Sequence, residues 1–282
     1  MANKLEGGYY VNGKEILRDN NKLLISIITV TFNAEKHLRQ TIESVLNQAY
    51  PNIEYIVIDG GSTDDTLNIF REYDSHIAYW VSEPDKGIYD AMNKGILLAK
   101  GDLVGMKNAD DWYLPHALEQ VADTFKKSKA TVVYGNSLHV VQEHPLLANL
   151  FVVDHEWIGK GPGLDHRSMF VKTDWHKENL FNTRYKLAAD YEVMLRLKDN
   201  HQPMAHTQTS LSYKRAGGAS YAWKLIWELA IIDWASGRNW LAFQRLTKDT
   251  AQYVGLKYGN QLLRLLLGEN GFVKWKTRGK SN

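Results

Sequence analysis

The sequence predicts an α/β fold, a mostly parallel sheet flanked by helices, followed by a helical C-terminal extension. Two observations carry this reading. From Leu23 onward, short β-branched apolar runs alternate with segments whose apolar residues recur at helical spacing, which is the pattern of strand–helix–strand units. The polar residues of these units gather just after the strands, where ligands collect in open sheets of this kind.

Residues 1 to 22 are polar and carry little pattern, so they read as a leader. Leu24 to Val30 is an apolar run suited to a buried strand. Leu38, Ile42, Val45, Leu46 and Ala49 then repeat at helical spacing, and Pro51 ends that helix. Tyr55 to Ile58 is a second buried strand, closed by Asp59-Gly60-Gly61-Ser62, whose glycines suit a tight turn or close approach of a ligand. A helix from about Asp64 to Tyr73 and a strand near Ile77 to Val81 follow. Ile88, Ala91, Met92, Ile96 and Ala99 mark another amphipathic helix, which leads to the strand Leu103 to Met106. Beyond it the pattern loosens. Thr131 to Tyr134 reads as a strand, Trp157 to Asp165 as a mobile glycine-rich loop, and Asp190 stands at the start of a helix. From Ser220 the chain becomes helical, with Trp223, Trp227 and Trp234 on one face that reads as packing. The predicted organisation is a leader (1–22), one α/β domain (23–220) and a basic helical extension (221–282).

Composition narrows the function classes. With 282 residues, 44% of them apolar, the chain has enough material for a substantial core. No cysteine is present, so disulfides and thiolate metal sites are excluded and any metal must be held by oxygen or imidazole. The N-terminus shows no basic, apolar signal segment and no apolar run is long enough to span a bilayer, so a cytoplasmic enzyme is expected. A net charge of +2 gives little support for nucleic acid as a partner. The charge is uneven, however: from Arg245 to the end eight basic residues face two acidic ones, a net +6.

The chemistry concentrates at Asp110-Asp111, after the strand ending at Met106. Two adjacent carboxylates at a strand end suit a hard divalent cation held against a diphosphate, because magnesium and manganese prefer oxygen and usually take only one or two protein carboxylates. Ahead of Pro115, the same pair also fits a helix-capping turn. Thr31-Phe32-Asn33, Asp59, the segment Ser82 to Gly87 and Asp110-Asp111 each follow a strand, so four loops are expected to face one crevice.

Several short segments together resemble a family 2 glycosyltransferase with the GT-A fold, of the inverting, non-processive bacterial type. They are Ser26 to Asn33, Ile58 to Asp64, Gly87 to Gly95 (Gly-Ile-Tyr-Asp-Ala-Met-Asn-Lys-Gly), Ala99 to Asp102, Asn108 to Asp111, then His166 and Ala189-Asp190-Tyr191. The resemblance runs from about Leu24 to Ser220. It implies that Asp110-Asp111 matches an Asp-x-Asp-type motif, with Asp110 near the ribose and Asp111 as the metal ligand for Mn2+ or Mg2+. It implies that Asp190 is the general base, and that Thr31, Phe32, Asn33 and the Asp59 turn form the nucleotide-base pocket. Asn93 and Asp90 then bond donor hydroxyls or satisfy loop backbone; His166 faces the diphosphate, completes the metal shell or is structural. Asp190 is also compatible with an N-cap, and Phe32 with a core position. Tyr213 to Ser220, with two cations and a glycine pair, reads as a lid or as an ordinary basic loop.

Three departures are visible. Gly60 stands where many members carry a second Asp that contacts uracil, Met92 where an Arg is frequent, with Lys86 as a substitute cation, and the Gln-x-x-Arg-Trp segment of processive synthases is absent. The implied reaction is metal-dependent transfer of one sugar from a nucleoside-diphosphate sugar, expected to be a UDP-sugar. The expected acceptor is a hydroxyl of a glycan or lipid-linked glycan in surface polysaccharide, lipopolysaccharide or glycolipid assembly. A scaffold subunit retaining the fold and a sugar nucleotidyltransferase are the alternatives. The latter class usually carries a Gly-rich, Arg-containing phosphate loop, which Thr31 to Glu35 does not resemble. For the extension, the apolar stripe Val254, Tyr258, Leu262, Leu265 and Leu266 with its surrounding cations predicts peripheral attachment to an anionic membrane surface at the inner face of the cell membrane. The other reading is packing on the catalytic domain or on a homodimer partner.

Overall fold

The structure, a computed structural model, describes residues 4–16, 19–140, 148–159, 163–215 and 223–251. The chain divides into two compact units, Met1–Gly217 and Gly218–Asn282. The first is built on one mixed sheet in the order β1-β4-β3-β2-β5-β9-β7-β10-β6, with β8 paired to β7.

Its centre is parallel. Strand β2 (Ile25–Thr31) lies between β3 (Ile53–Asp59) and β5 (Leu103–Asn108), with β4 (Tyr79–Ser82) beyond β3. Every residue of β2 is buried, because helices cover both faces, and this is why its sequence is a continuous apolar run rather than an alternating one. Helices α1 (Leu38–Leu46), α2 (Thr66–Glu72) and α3 (Ile88–Leu98) are the crossovers. The register sets Thr31 opposite Asp59, Asp59 opposite Ser82, and Val30 opposite Asn108. The four strands therefore end level, and the loops after them lie side by side.

Residues read as a leader belong to this sheet. Strand β1 (Leu5–Gly7) pairs antiparallel with β4, and the Tyr10 hydroxyl donates to Oε1 of Glu54 at 2.6 Å. Glu54 is fully buried and also accepts from the Ser26 hydroxyl and the Lys100 backbone amide, so Tyr10 supplies one of the donors that a buried carboxylate requires. No periodicity announces such a contact, since a three-residue edge strand and one tyrosine are too little to form a pattern.

Past β5 the sheet mixes directions. The chain passes through β6 (Trp112–Tyr113), α4 (Ala117–Ser128), β7 (Val132–Val140) and β8 (Ala148–Phe151) before a turn at His166–Ser168 enters β9 (Met169–Lys172). Strand β9 runs antiparallel to both β5 and β7, pairing Gly105 with Phe170 and Leu103 with Lys172. An antiparallel strand starts where its parallel neighbours end. Residues 165 to 168 are thereby delivered to the same end of the sheet as the loops of β2 to β5. Helices α5 (Thr173–Glu178) and α6 (Ala189–Asp199) and strand β10 (Met204–Arg215), parallel to β7, complete the unit.

Helix α5 contains a buried titratable group. Burial pushes the His176 imidazole down to about 4 from 6.5, against a weaker upward pull from its contact with the Asn179 carbonyl. The unfolded chain therefore takes up this proton first as the pH falls, so the stability associated with neutral His176 is present above pH 6.5 and is lost between 6.5 and about 4. At about 1.4 kcal/mol per pH unit, the thermal midpoint is expected to drop steeply across that window. His176→Phe, which keeps a ring against Phe181, should flatten the drop in thermal scans.

In the second unit, α7 (Trp223–Ala235) and α8 (Asn239–Gln244) pack through Ala230, Ile232 and Ala242, and Arg245 pairs with the buried Asp233 at 2.5 Å. Trp223, Trp227 and Trp234, read from the sequence as packing, instead remain exposed. The stripe Val254 to Leu266 and residues Ala216 to Ser220 of the expected lid lie outside the described residues. Among those described, no helix is long and apolar enough to cross a membrane.

Candidate active site

The level strand ends enclose a cavity of about 610 Å³, lined by residues 30 to 34 after β2, Lys36 and His37, Asp85, Gly87, Ile88 and Ala91 at the start of α3, and Ala109 and Asp110 after β5. Thr31, Phe32, Asn33 and Asp110, expected from the sequence at the nucleoside, all stand on its wall. Phe32 is 64% exposed there, so an apolar ring faces the cavity rather than the core. Asn33 adopts a left-handed backbone (φ 48°), and its Oδ1 accepts from the Thr63 amide at 2.9 Å, which ties the β2 loop to the β3 loop. Thr31 Oγ1 is buried and carries no hydrogen bond.

Asp59 lies behind the wall. Its carboxylate is fully buried and accepts from the amides of Gly61 and Ser62 and the hydroxyls of Ser62 and Ser82, so it builds the turn and ties β3 to β4. Gly61 takes φ 86°, which a side chain would strain. A Cβ at Gly60 would fall 2.6 Å from Oδ2 of Asp85 and 3.4 Å from the Phe32 ring. The carboxylate of Asp85 thus fills the space beside Phe32 that a side chain at position 60 would enter.

Asp111 departs from the helix-capping turn that the sequence also allowed. It is buried, and it does not cap α4, whose N-cap is His116. Its Oδ1 accepts from the Arg215 amide at 3.1 Å, and its Oδ2 lies 2.6 Å from Nε of Arg167. That second approach is charge pairing without hydrogen-bond geometry, for Oδ2 and Nε are both buried and neither makes a hydrogen bond. Burial pushes the Asp111 carboxyl up, against the opposing pull of Arg167 and Lys107. Around the pair lie Asp165, whose Oδ1 is 2.9 Å from Nη1 of Arg167, and Lys107, fully buried beneath the Tyr113 ring with its Nζ donating to the Arg167 carbonyl at 2.9 Å. Burial pushes Lys107 down to about 7. The same effect raises Asp165, but Arg167 and His139 outweigh it and hold that carboxyl well below its ordinary value.

Asp190 sits in the first turn of α6, two residues past the N-cap Ala188, so the capping reading does not apply. Its Oδ1 accepts from the Tyr89 hydroxyl at 3.0 Å and the Tyr191 amide at 2.9 Å, and its Oδ2 lies 2.8 Å from Nδ1 of His166. Burial pulls the Asp190 carboxyl upward, yet the His166 and Tyr89 contacts outweigh it and hold the group below its ordinary value. An ionised carboxylate only accepts, so in the neutral His166 ring the proton is on Nδ1 and Nε2 presents a lone pair. That Nε2 is buried and has no hydrogen-bond partner.

These orphaned atoms allow a test of the implied metal. Among the described residues no three His, Asp or Glu side chains cluster as a metal cage. Mg2+ and Mn2+ in diphosphate sites need only one or two protein ligands. A buried carboxylate oxygen on Asp111 and an imidazole nitrogen on His166, whose other nitrogen is held by a carboxylate, are donors of the right kind. The residues fit such an ion, provided that the Arg167 guanidinium yields the face of Asp111 that it now covers.

Two expected residues are engaged elsewhere. Asn93 spends both ends of its amide on the Phe181 backbone, at 2.9 Å each, clamping α3 to that loop. The cavity is lined by the neighbours of Lys86 rather than by Lys86 itself, whose backbone amide bonds Asp90 and whose carbonyl accepts from Lys186. Met92, where a cation was looked for, is core. Sequence reading missed Lys36 and His37 on the wall, Tyr89 on the base candidate and Arg167 on Asp111. Tyr89 lay in the Gly87 to Gly95 segment and Arg167 next to His166, but sequence adjacency does not say which carboxylate a side chain meets.

Chondroitin synthase of Escherichia coli is 31% identical over 182 residues, covering 62% of this chain and 26% of that protein. An uncharacterized glycosyltransferase of Mycobacterium tuberculosis is 45% identical over 114 residues, 39% of this chain and 44% of that one. The chain therefore spans less than half the length of either relative. Among solved structures, S. aureus TarS 1–349 in complex with UDP superposes with a TM-score of 0.58 at 18% identity, covering 74% of this chain and 65% of that one. The mannosyltransferase PcManGT from Pyrobaculum calidifontis, in complex with GDP-Man and Mn2+, gives 0.62 at 15%, covering 95% and 90%. Those likenesses show the fold, which is GT-A. The sequence pattern of Glycosyl transferase family 2 matches residues 26–187, more than half of the chain, taking in the cavity wall, Asp111 and His166 and ending before Asp190. The chain belongs to glycosyl transferase family 2 and is an enzyme of that family.

Proposed function

We propose that this glycosyltransferase moves one sugar from a UDP-sugar to a hydroxyl of a glycan or lipid-linked glycan, with inversion at the anomeric carbon and with Mn2+ or Mg2+ bound. Surface polysaccharide or glycolipid assembly is the setting that fits. The observation that carries the reading is Asp190, a carboxylate kept ionised by donors from His166 and Tyr89, with Tyr89 on the helix whose first turn lines the cavity. Asp190 takes the proton of the acceptor hydroxyl as its oxygen bonds to the anomeric carbon, while the bond from that carbon to the diphosphate oxygen breaks. One base and no nucleophile of the protein give a single displacement, hence inversion. A divalent ion, when bound through Asp111 and His166, supplies Lewis-acid stabilisation of the departing diphosphate. Phe32 stacks on the base, and Asn33 and Asp110 bond the nucleoside. Complexes of structural neighbours with UDP and with GDP-Man and Mn2+ support a nucleotide donor.

The test is a screen of nucleotide sugars with and without manganese, read as release of nucleoside diphosphate, followed by NMR assignment of the product anomer. Absence of metal-dependent release from every donor, or retained configuration, would refute the reading. Phe32→Ala is expected to weaken binding of the nucleoside diphosphate roughly tenfold, since aromatic stacking on a base is worth ~1–3 kcal/mol. Because the ring is already 64% exposed, the thermal midpoint should not move.

A further inference from the structure

Helix α7 carries Trp223, Trp227, Ile231 and Trp234 within roughly 80° of arc at about 100° per residue, and all four are exposed. Helix α8 adds Trp240, 70% exposed and stacked on Phe243 at 5.7 Å, while Trp223 and Trp227 meet edge-on at 5.6 Å. The helices are held together by residues outside this stripe, the buried Ile232 and Ala242 and the Asp233–Arg245 pair, so this aromatic face is not needed to hold them. Exposed apolar patches of this kind mark interaction surfaces. The charge of the unit identifies what it meets. Residues 218 to 282 hold ten basic and four acidic side chains, a net +6, while residues 1 to 217 net −4. Two copies of a +6 unit repel one another, whereas an anionic bilayer attracts each. Tryptophan is also the side chain that settles at the headgroup level, its ring apolar and its N–H polar.

We infer that the α7–α8 aromatic face is a membrane-docking surface that inserts into the headgroup region of anionic phospholipid. Its residues precede the Val254 to Leu266 segment in sequence, and docking is independent of the transfer chemistry proposed above.

The test uses the full chain with phosphatidylcholine vesicles, with and without phosphatidylglycerol. Wild type should sediment with the anionic vesicles, less so at high salt, and its tryptophan emission should shift to the blue. Trp227→Ser/Trp234→Ser should bind at least about tenfold more weakly with an unchanged thermal midpoint, because several exposed rings are removed from the buried apolar face. Lys224→Glu, on the flank of the stripe, should weaken binding only to anionic vesicles. Metal-dependent donor hydrolysis without vesicles should stay at the wild-type level in all three proteins, which separates failure of docking from failure of the enzymatic reading. Equal vesicle binding by the double variant would overturn the inference. So would loss of a concentration-dependent dimer in that variant when wild type ignores vesicles, since the face would then serve self-association.

Discussion

Asp190→Asn is expected to lower the rate of sugar transfer by about 10²–10⁴-fold, the usual cost of removing a general base. Affinity for the nucleoside diphosphate, measured by calorimetry, should remain near wild type. The amide still accepts from Tyr89 and Tyr191 through one oxygen, but it cannot take a proton from the acceptor. Its nitrogen would also face Nδ1 of His166 and donate to it, moving the imidazole proton to Nε2 and removing the lone pair now held there. Loss of binding together with rate would mark Asp190 as structural instead. The wild-type pH profile makes a second check. Since the Asp190 carboxyl is held below 3.8, its contribution to rate and stability is complete above that pH and is lost only as the pH falls through its lower folded value. An acid limb at pH 5 to 6 would assign the limb to another group.

Asp111→Asn should abolish manganese-dependent donor binding and also lower stability, which a surface turn acid would not do. The substitution leaves the Arg167 guanidinium buried with only Asp165 to balance it. Removing one partner of a buried pair costs about 3 kcal/mol or more. At this chain length that corresponds to a fall of roughly 6–12 °C in thermal midpoint. Asp111→Leu combined with Arg167→Met and Asp165→Asn removes all three charges and should recover much of the midpoint, because a buried charge cluster is replaced by uncharged contact. The triple variant should still show no added stabilisation by manganese and UDP together. A single variant with wild-type stability and metal response would take Asp111 out of both roles.

Much of the first half of the molecule is legible in the residues. Helical and strand periods alternate from Leu24 to Met106, and each predicted strand lies within a few residues of its observed bounds, because strands buried on both faces must be apolar throughout. The antiparallel entry of β9 could not be read. It depends on which edge of β5 the chain reaches some sixty residues later, after a helix and three further strands, and no local preference encodes that pairing. The edge strand at Leu5–Gly7 was missed for the same reason: its place rests on hydrogen bonds to β4 and on one tyrosine at Glu54.

By itself the sequence determined the family, the fold class and the wall of the cavity. Motif residues such as Thr31, Asn33 and Asp110 occupy strand ends, and a parallel sheet brings strand ends together whatever the loops do. Only the tertiary structure decided the chemistry behind that wall. It turned Asp59 inward to build a turn, spent Asn93 on the Phe181 backbone, paired Asp111 with Arg167 and joined His166 to Asp190. A carboxylate's role depends on its burial and on the donors within about 3 Å, and for Asp111 and Asp190 these include His166, Tyr89 and the Arg215 amide, 24 to 104 residues away in sequence.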